Sequence, residues 1–223
     1  SPSRGLGDVY KRQAAGAVAS AVFGGILGYP NLISFDMGGT SADLSLVWKG
    51  QPLVQSGFKV EFTIPIRFPC VDITTIGTGG GSIAWIDEGG SLKNGPQSAG
   101  AYPGPACYGR GGEQPTNTDA QVVLGVIDPD QFLGGAMSLD AGKAHQAIEK
   151  HIARPLGMAV EKAADGILRL ADANMINAVK LISVVRGYDP RDFSLVAFGG
   201  AGPLHAAEPV SYTHLTLTTI LLV

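Results

Sequence analysis

Ile33-Ser34-Phe35-Asp36-Met37-Gly38-Gly39-Thr40-Ser41-Ala42-Asp43-Leu44-Ser45-Leu46-Val47 is the stretch that decides how this chain is read. An apolar, β-prone run closes on an aspartate. Two glycines and two hydroxyl residues follow, and a second aspartate opens another apolar run. Paired glycines between such runs predict two strands joined by a tight hairpin turn. Residues without a Cβ let backbone N–H groups come close to an anion, and Thr40 and Ser41 carry hydroxyls that can donate to its oxygens. Asp36, at the strand end, is placed to hold Mg²⁺ directly or through water. Two readings share this sequence: a phosphate-binding hairpin of a nucleotide-dependent enzyme, and an ordinary glycine-containing hairpin with polar turn residues.

Working outward, the 223 residues suffice for one large domain or two small ones. Hydrophobic residues make up 45% and charged residues 16%, with 32 glycines and no collagen-like period, which describes a globular chain rich in loops. A net charge of −3 argues against a nucleic-acid surface. No run reaches the roughly eighteen apolar residues of a membrane span, and the N-terminal region lacks the pattern of a signal peptide. Cys70 and Cys107 do not make a disulfide framework, so a reducing, cytoplasmic setting is expected. Neither cysteine sits at a zinc-ligand spacing.

Ahead of the hairpin, Ala14–Leu27 predicts a small-residue helix packed closely on a sheet and stopped by Gly28-Tyr29-Pro30. Beyond it, strands are expected within 53–66 and over 71–76. Gly77-Thr78-Gly79-Gly80-Gly81-Ser82 then joins that strand to another over 83–87. This loop is no Walker sequence, because no Gly-Lys-Ser/Thr ends it and a strand follows it; a phosphate-wrapping role and a merely conformational one both fit. The density of Gly and Pro over 95–112 predicts irregular structure. Within it Cys107 reads as a buried thiol rather than a nucleophile, since no activating base adjoins it. Arg110 fits an anion contact or a solvated charge. Thr118 or Asp119 is expected to cap a helix over 120–127, and a catalytic or metal role for Asp119 is the alternative.

Apolar spacing predicts a helix over 141–153, with His145 and His151 solvated, and a longer one over 160–185. Asn174 and Asn177 interrupt the surface of that helix and face either a cleft or neighbouring backbone. Phe193–Phe198 reads as a buried strand running into Gly199-Gly200-Ala201-Gly202-Pro203. Strand, glycine loop and helix N-terminus together can hold an anionic or planar ligand at the edge of a sheet. His205, just beyond, fits a structural role.

Taken together, several stretches resemble the hydantoinase A/5-oxoprolinase family. They are Phe35–Asp43, similar to its second phosphate motif, then 77–84, 95–112, 115–125 and 198–206, in the family's order and approximate spacing. The resemblance implies an α/β fold: an actin-like ATPase (ribonuclease H-like) core with a mixed sheet and flanking helices, here incomplete. It implies ATP and Mg²⁺ as cofactors, and phosphorylation of a cyclic amide or carbonyl oxygen to prepare ring opening. By motif, Asp36, Asp43 and Asp119 would be catalytic, and Asp36 the metal ligand. Gly38, Gly39, Thr40 and Ser41 would bind phosphate, and Gly199, Gly200 and Ala201 would line the adenosine pocket. The implied alternatives are an ATP-binding β-type subunit of an acetone-carboxylase-like complex and a non-catalytic nucleotide-binding module.

Residues 14–210 are accordingly read as the core domain. Residues 1–13 are read as a non-native leader and 211–223 as a non-native tail, both resembling adaptor-derived read-through peptides. Family members carry a first Asp-Gly-Gly-Thr-type phosphate loop, and none appears before Ala14. The expected partners are therefore an N-terminal lobe of the same protein, a small cyclic amide or carbonyl substrate, and a hydantoinase B-like subunit, with no nucleic acid or membrane. With half of the cleft absent, the isolated chain is expected to show no substantial ATPase activity. Steady-state phosphate release checks this, and robust turnover that Asp36→Ala abolishes would contradict it.

Overall fold

The computed structural model describes residues 3–56, 58–60, 64–66 and 69–213. The chain runs through α1 (Ser3–Leu27), β1 (Leu32–Met37) and β2 (Ala42–Trp48). Short strands follow: β3 (Gln51–Pro52), β4 (Val54–Gln55), β5 (Phe58–Val60), β6 (Ile64–Ile66) and β7 (Cys70–Val71). Next come β8 (Ile73–Ile76), β9 (Ser82–Ile86) and β10 (Leu92–Ser98). The helices α2 (Asn117–Val123), α3 (Ala141–Ile148), α4 (Arg154–Leu156) and α5 (Val160–Ile182) precede β11 (Ser194–Phe198). Finally α6 (Gly202–His205) and α7 (Ala207–Thr213) bring the description to its end.

Among the described residues a five-stranded mixed sheet has the order β11-β1-β2-β3, with β8 also pairing β2. β11 lies parallel to β1, whereas β1 and β2 form the antiparallel hairpin predicted from the glycine pair. β1 is buried along nearly its whole length because both faces of the sheet are covered. On one face Ile33, Phe35, Met37, Ala42, Leu44 and Leu46 pack with Ala171, Met175, Ala178, Val179 and Ile182 of α5. On the other, Leu32, Val47 and Val196 meet Ala21, Tyr29 and Phe198 under α1. The glycines of α1 permit that approach: a Cβ at Gly16 would come within 2.9 Å of the Phe198 ring.

A second core joins Ala84 of β9, Ala120 of α2, Ile148 and Ile152, and Ala163, Ala164 and Ile167 of α5. α5 thus spans both cores, its first half on the β9–α2 side and its second half on the large sheet. No helix among the described residues is long and apolar enough to cross a membrane.

Local signals placed most elements and misplaced several boundaries. α1 starts at Ser3 rather than Ala14, while the expected tail beyond Thr213 lies outside the described residues. β10 continues through Gly95 and Pro96, part of the segment expected to be irregular, because a register break between Asn94 and Ser98 accommodates them. α2 is capped by Thr116 and not by Thr118 or Asp119. The helix expected over 141–153 divides into α3 and a π-helical turn over Glu149–Ala153. α5 ends at Ile182, and Val184–Arg186 form a 3₁₀ turn.

Candidate functional site

In the β1–β2 ladder Asp36 stands directly opposite Asp43, and opposed residues of an antiparallel pair project from the same face. Along the α1 side of this hairpin the pairs run Leu32/Val47, Ser34/Ser45 and Asp36/Asp43, from apolar through hydroxyl to carboxylate. Ser20 of α1 reaches Ser34 there, Oγ to Oγ, at 3.3 Å. Polarity therefore rises toward the turn, which the Gly38 N–H closes by donating to the Ser41 carbonyl at 3.1 Å. Asp43 Oδ1 accepts the Thr75 hydroxyl from the neighbouring strand at 2.5 Å.

Two glycine loops converge on this turn. From 77–82, the Gly80 N–H donates to the Gly38 carbonyl at 3.0 Å and the Gly81 N–H to the Gly39 carbonyl at 2.6 Å. A Cβ on Gly79 would lie 2.6 Å from the Thr40 nitrogen, so the loop meets the turn backbone against backbone. From the other side, the Ala201 N–H donates to the Met37 carbonyl at 2.9 Å. Gly199 adopts φ +82°, and a Cβ on it would press into the Asp36 carboxylate and the Met37 carbonyl. Gly38, Gly39 and Gly200, by contrast, present their open sides to empty space within 4 Å.

The 77–82 loop is itself held by the start of α2. Asn117 Nδ2 donates to the Gly79 carbonyl at 2.8 Å, and the Thr118 N–H and hydroxyl both donate to the Gly80 carbonyl. Asp119 completes a capping box with Thr116. Its buried carboxylate accepts from the Thr116 N–H and hydroxyl and from the Ala106 and Cys107 N–H groups, at 2.8–3.2 Å. Four donors within the protein engage this carboxylate, a geometry that pins the 95–112 segment to α2, whereas the opposed pair at the hairpin is Asp36 with Asp43. Cys107 lies fully buried beside it. Burial first, and then the Asp119 charge, push its thiol far above the ordinary range, which removes the thiolate a nucleophile needs.

Behind the 199–202 loop, buried His205 bonds Asp172 Oδ1 through Nδ1 at 2.8 Å, and its Nε2 lies 2.8 Å from Gln121 Nε2. A carboxylate can only accept here, so Nδ1 carries a proton and donates it to Asp172. The contact ties α2, α5 and α6 together behind the glycine loop. Asn174 and Asn177 line a cavity of about 530 Å³ with Gly77, Thr78 and Asn94.

Of the residues expected at a nucleotide site, the structure brings together Asp36, Asp43, Gly38–Ser41 and Gly199–Ala201. For the 77–82 loop the sequence leaves a phosphate-wrapping and a conformational role open; what it does not show is that Gly79–Gly81 dock on the turn, or that Thr75 and the anchors Asn117 and Thr118 take part. The glycine concentration after Ile76 was the available signal, but nothing local says which turn it meets. No cluster of three or more His, Cys, Asp or Glu side chains able to hold a metal occurs among the described residues. Two facing carboxylates still fit Mg²⁺, which binds through one or two carboxylates with phosphates and waters supplying the rest.

The sequence profile of the hydantoinase/oxoprolinase family matches residues 13–218. The chain is 44% identical over 215 residues to the acetophenone carboxylase gamma subunit of Aromatoleum aromaticum, covering 92% of this chain and 29% of that protein. It is 46% identical over 178 residues to the caprolactamase subunit alpha of Pseudomonas jessenii, covering 80% and 25%. A nucleotide-free structure of acetone carboxylase superposes with a TM-score of 0.83 at 34% identity, covering 90% of this chain and 28% of that one. The chain thus spans less than a third of the length of these relatives.

Two outcomes follow from the geometry. Gly79→Ala must push the 77–82 loop off the turn, so it is expected to cost about 1–3 kcal/mol, the range for overpacking, measured by urea denaturation. In the folded chain at pH 8, iodoacetamide is expected to alkylate half-exposed Cys70 and leave Cys107 unmodified until denaturant is added. Mass spectrometry of the labelled peptides reads this.

Proposed function

The chain belongs to the hydantoinase/oxoprolinase family, and from that premise we propose that it forms part of an ATP-dependent amidohydrolase core of actin-like type. The observation that carries this reading is the hairpin tip: Gly38 and Gly39 open to space between two docked glycine loops, above the Asp36–Asp43 pair. When bound there, ATP with Mg²⁺ would supply the phosphoryl group that turns a cyclic amide or carbonyl oxygen into an activated one.

In this reading Asp36, with Asp43 beside it, holds the Mg²⁺. The turn 38–41 cradles phosphate oxygens with backbone N–H groups and the hydroxyls of Thr40 and Ser41. Gly199, Gly200 and Ala201 flank the adenosine side. Residues 14–210 form this core, and the opposite wall of the cleft comes from another lobe of the full-length protein. Positioning and charge stabilisation are most of what phosphoryl transfer asks of a protein, and interlocked loops are suited to both. A carbonyl substrate in a carboxylase-type assembly with a hydantoinase B-like subunit is the second reading, favoured by the likeness to acetone carboxylase.

Gly39→Val tests the reading. A Cβ at this position meets no atom within 4 Å, so the fold tolerates the side chain while the approach to the turn is filled. In the full-length protein, the affinity for ATP with Mg²⁺ is expected to fall at least about tenfold, ~1.4 kcal/mol, with the melting temperature unchanged. Isothermal titration calorimetry measures it, and undiminished affinity would overturn the assignment of the turn.

A further inference from the structure

A cavity of about 640 Å³ opens between β9, β10 and the two ends of the 99–114 segment. It adjoins the candidate phosphate turn through a short chain of backbone contacts. Ala99, in its wall, donates its N–H to the Gly81 carbonyl at 2.8 Å, and the Gly81 N–H donates to Gly39. Ser98, also in the wall, turns its hydroxyl toward the Gly39 carbonyl at 3.5 Å. The cavity wall and the turn are therefore joined through Gly81 and Ser98, which fix the position of one relative to the other.

The lining has a definite chemistry. Trp85 and Tyr102 are large aromatic side chains left 38% and 82% exposed. Trp85 is fixed in orientation because its indole N–H donates to the Gly95 carbonyl at 2.9 Å. Gln97, Ser98 and Gln114 supply neutral hydrogen-bonding groups. No lysine or arginine is among the described residues that line it, and its one ionisable acid is Glu113. Lys143 and Lys150 line the adjoining smaller cavity, which shares Gly112 and Glu113 with this one. Aromatic walls with a few neutral polar groups suit an apolar ring carrying an amide or carbonyl. A wall without cations and with a carboxylate disfavours a ring that bears its own carboxylate.

We propose that this cavity is the acceptor site and that it selects uncharged ring amides or ketones over acidic ones. The Trp85 and Tyr102 faces hold the ring, Gln97 and Gln114 engage its amide or carbonyl, and Glu113 repels anionic analogues. The role as phosphoryl acceptor site rests on the function proposed above, whereas the binding preference rests on the cavity alone.

The matched probes 2-pyrrolidinone and 5-oxoproline share a five-membered lactam ring and differ by one carboxylate. Binding of each to the chain is read by titration calorimetry and by tryptophan fluorescence. Trp85 is the responsive fluorophore, because Trp48 is packed against Tyr188 and Phe193. 2-Pyrrolidinone is expected to bind saturably and about tenfold more tightly than 5-oxoproline, a gap that narrows with added salt. Glu113→Gln should reduce that gap to about threefold. Tyr102→Ala, at a side chain exposed enough to leave the fold intact, should weaken 2-pyrrolidinone several-fold. Absence of saturable 2-pyrrolidinone binding, equal or tighter binding of 5-oxoproline, or indifference to both substitutions would overturn the proposal. Nucleotide affinity and its response to Gly39→Val are measured separately, so a failure of the phosphate turn stays distinct from a failure of this cavity.

Discussion

The structure depends on one contact: the backbone of 77–82 lying directly on the backbone of the β1–β2 turn. Two hydrogen bonds, from Gly80 to Gly38 and from Gly81 to Gly39, hold it. The net value of each is about 1 kcal/mol, so energy alone does not explain its importance. Its consequence is geometric. A Cβ at Gly79 would come within 2.7 Å of backbone atoms of Gly39 and Thr40, so the loop lies this close only because it carries no side chain there. The glycines are therefore required on the docking loop, and the turn is presented in one fixed position.

From that contact the anchoring spreads outward in steps. Asn117 and Thr118 hold the outer side of the 77–82 loop, and Asp119 fastens Ala106 and Cys107 to the same helix start. The 95–112 segment, full of glycine and proline, gains its order through a buried carboxylate rather than through long ladders. On the opposite flank, Gly199 packs against Asp36, and the helix that follows is tied to α2 and α5 through His205. The second half of α5 holds the sheet from below and its first half holds β9 and α2, which keeps the two glycine loops in register with each other. A rigid scaffold presenting short mobile-looking sequences in fixed positions is what a site for an anionic ligand needs.

Much of this was legible in the chain before any coordinates. The alternation on either side of Gly38-Gly39 announced the hairpin, and the three- and four-residue spacing from Ile167 to Ile182 announced α5. The strand from Ser194 and its glycine exit were equally plain. Boundaries were less so. Thr118 and Asp119 looked like caps because they precede an apolar run, yet Thr116 is the cap, since Asp119 at the third helical position closes the box with it. β10 was hidden by Gly95 and Pro96, residues whose local preference a bulged register overrides.

What the sequence determined by itself is local: which runs are strands, which face of a helix is apolar, where a turn must fall, and that its first two residues, Gly38 and Gly39, carry no side chain. These follow from covalent geometry and from periodicity, which any short window displays. What only the tertiary structure decided is association. That Gly79–Gly81 meet Gly38–Thr40 and that Gly199 closes on Asp36 are contacts between residues dozens of positions apart, and the hold of Asp119 on Ala106 and Cys107 likewise lies beyond any short window. Glycine marks that a close approach occurs and carries no side chain to name its partner, so the partner exists only once the chain has folded.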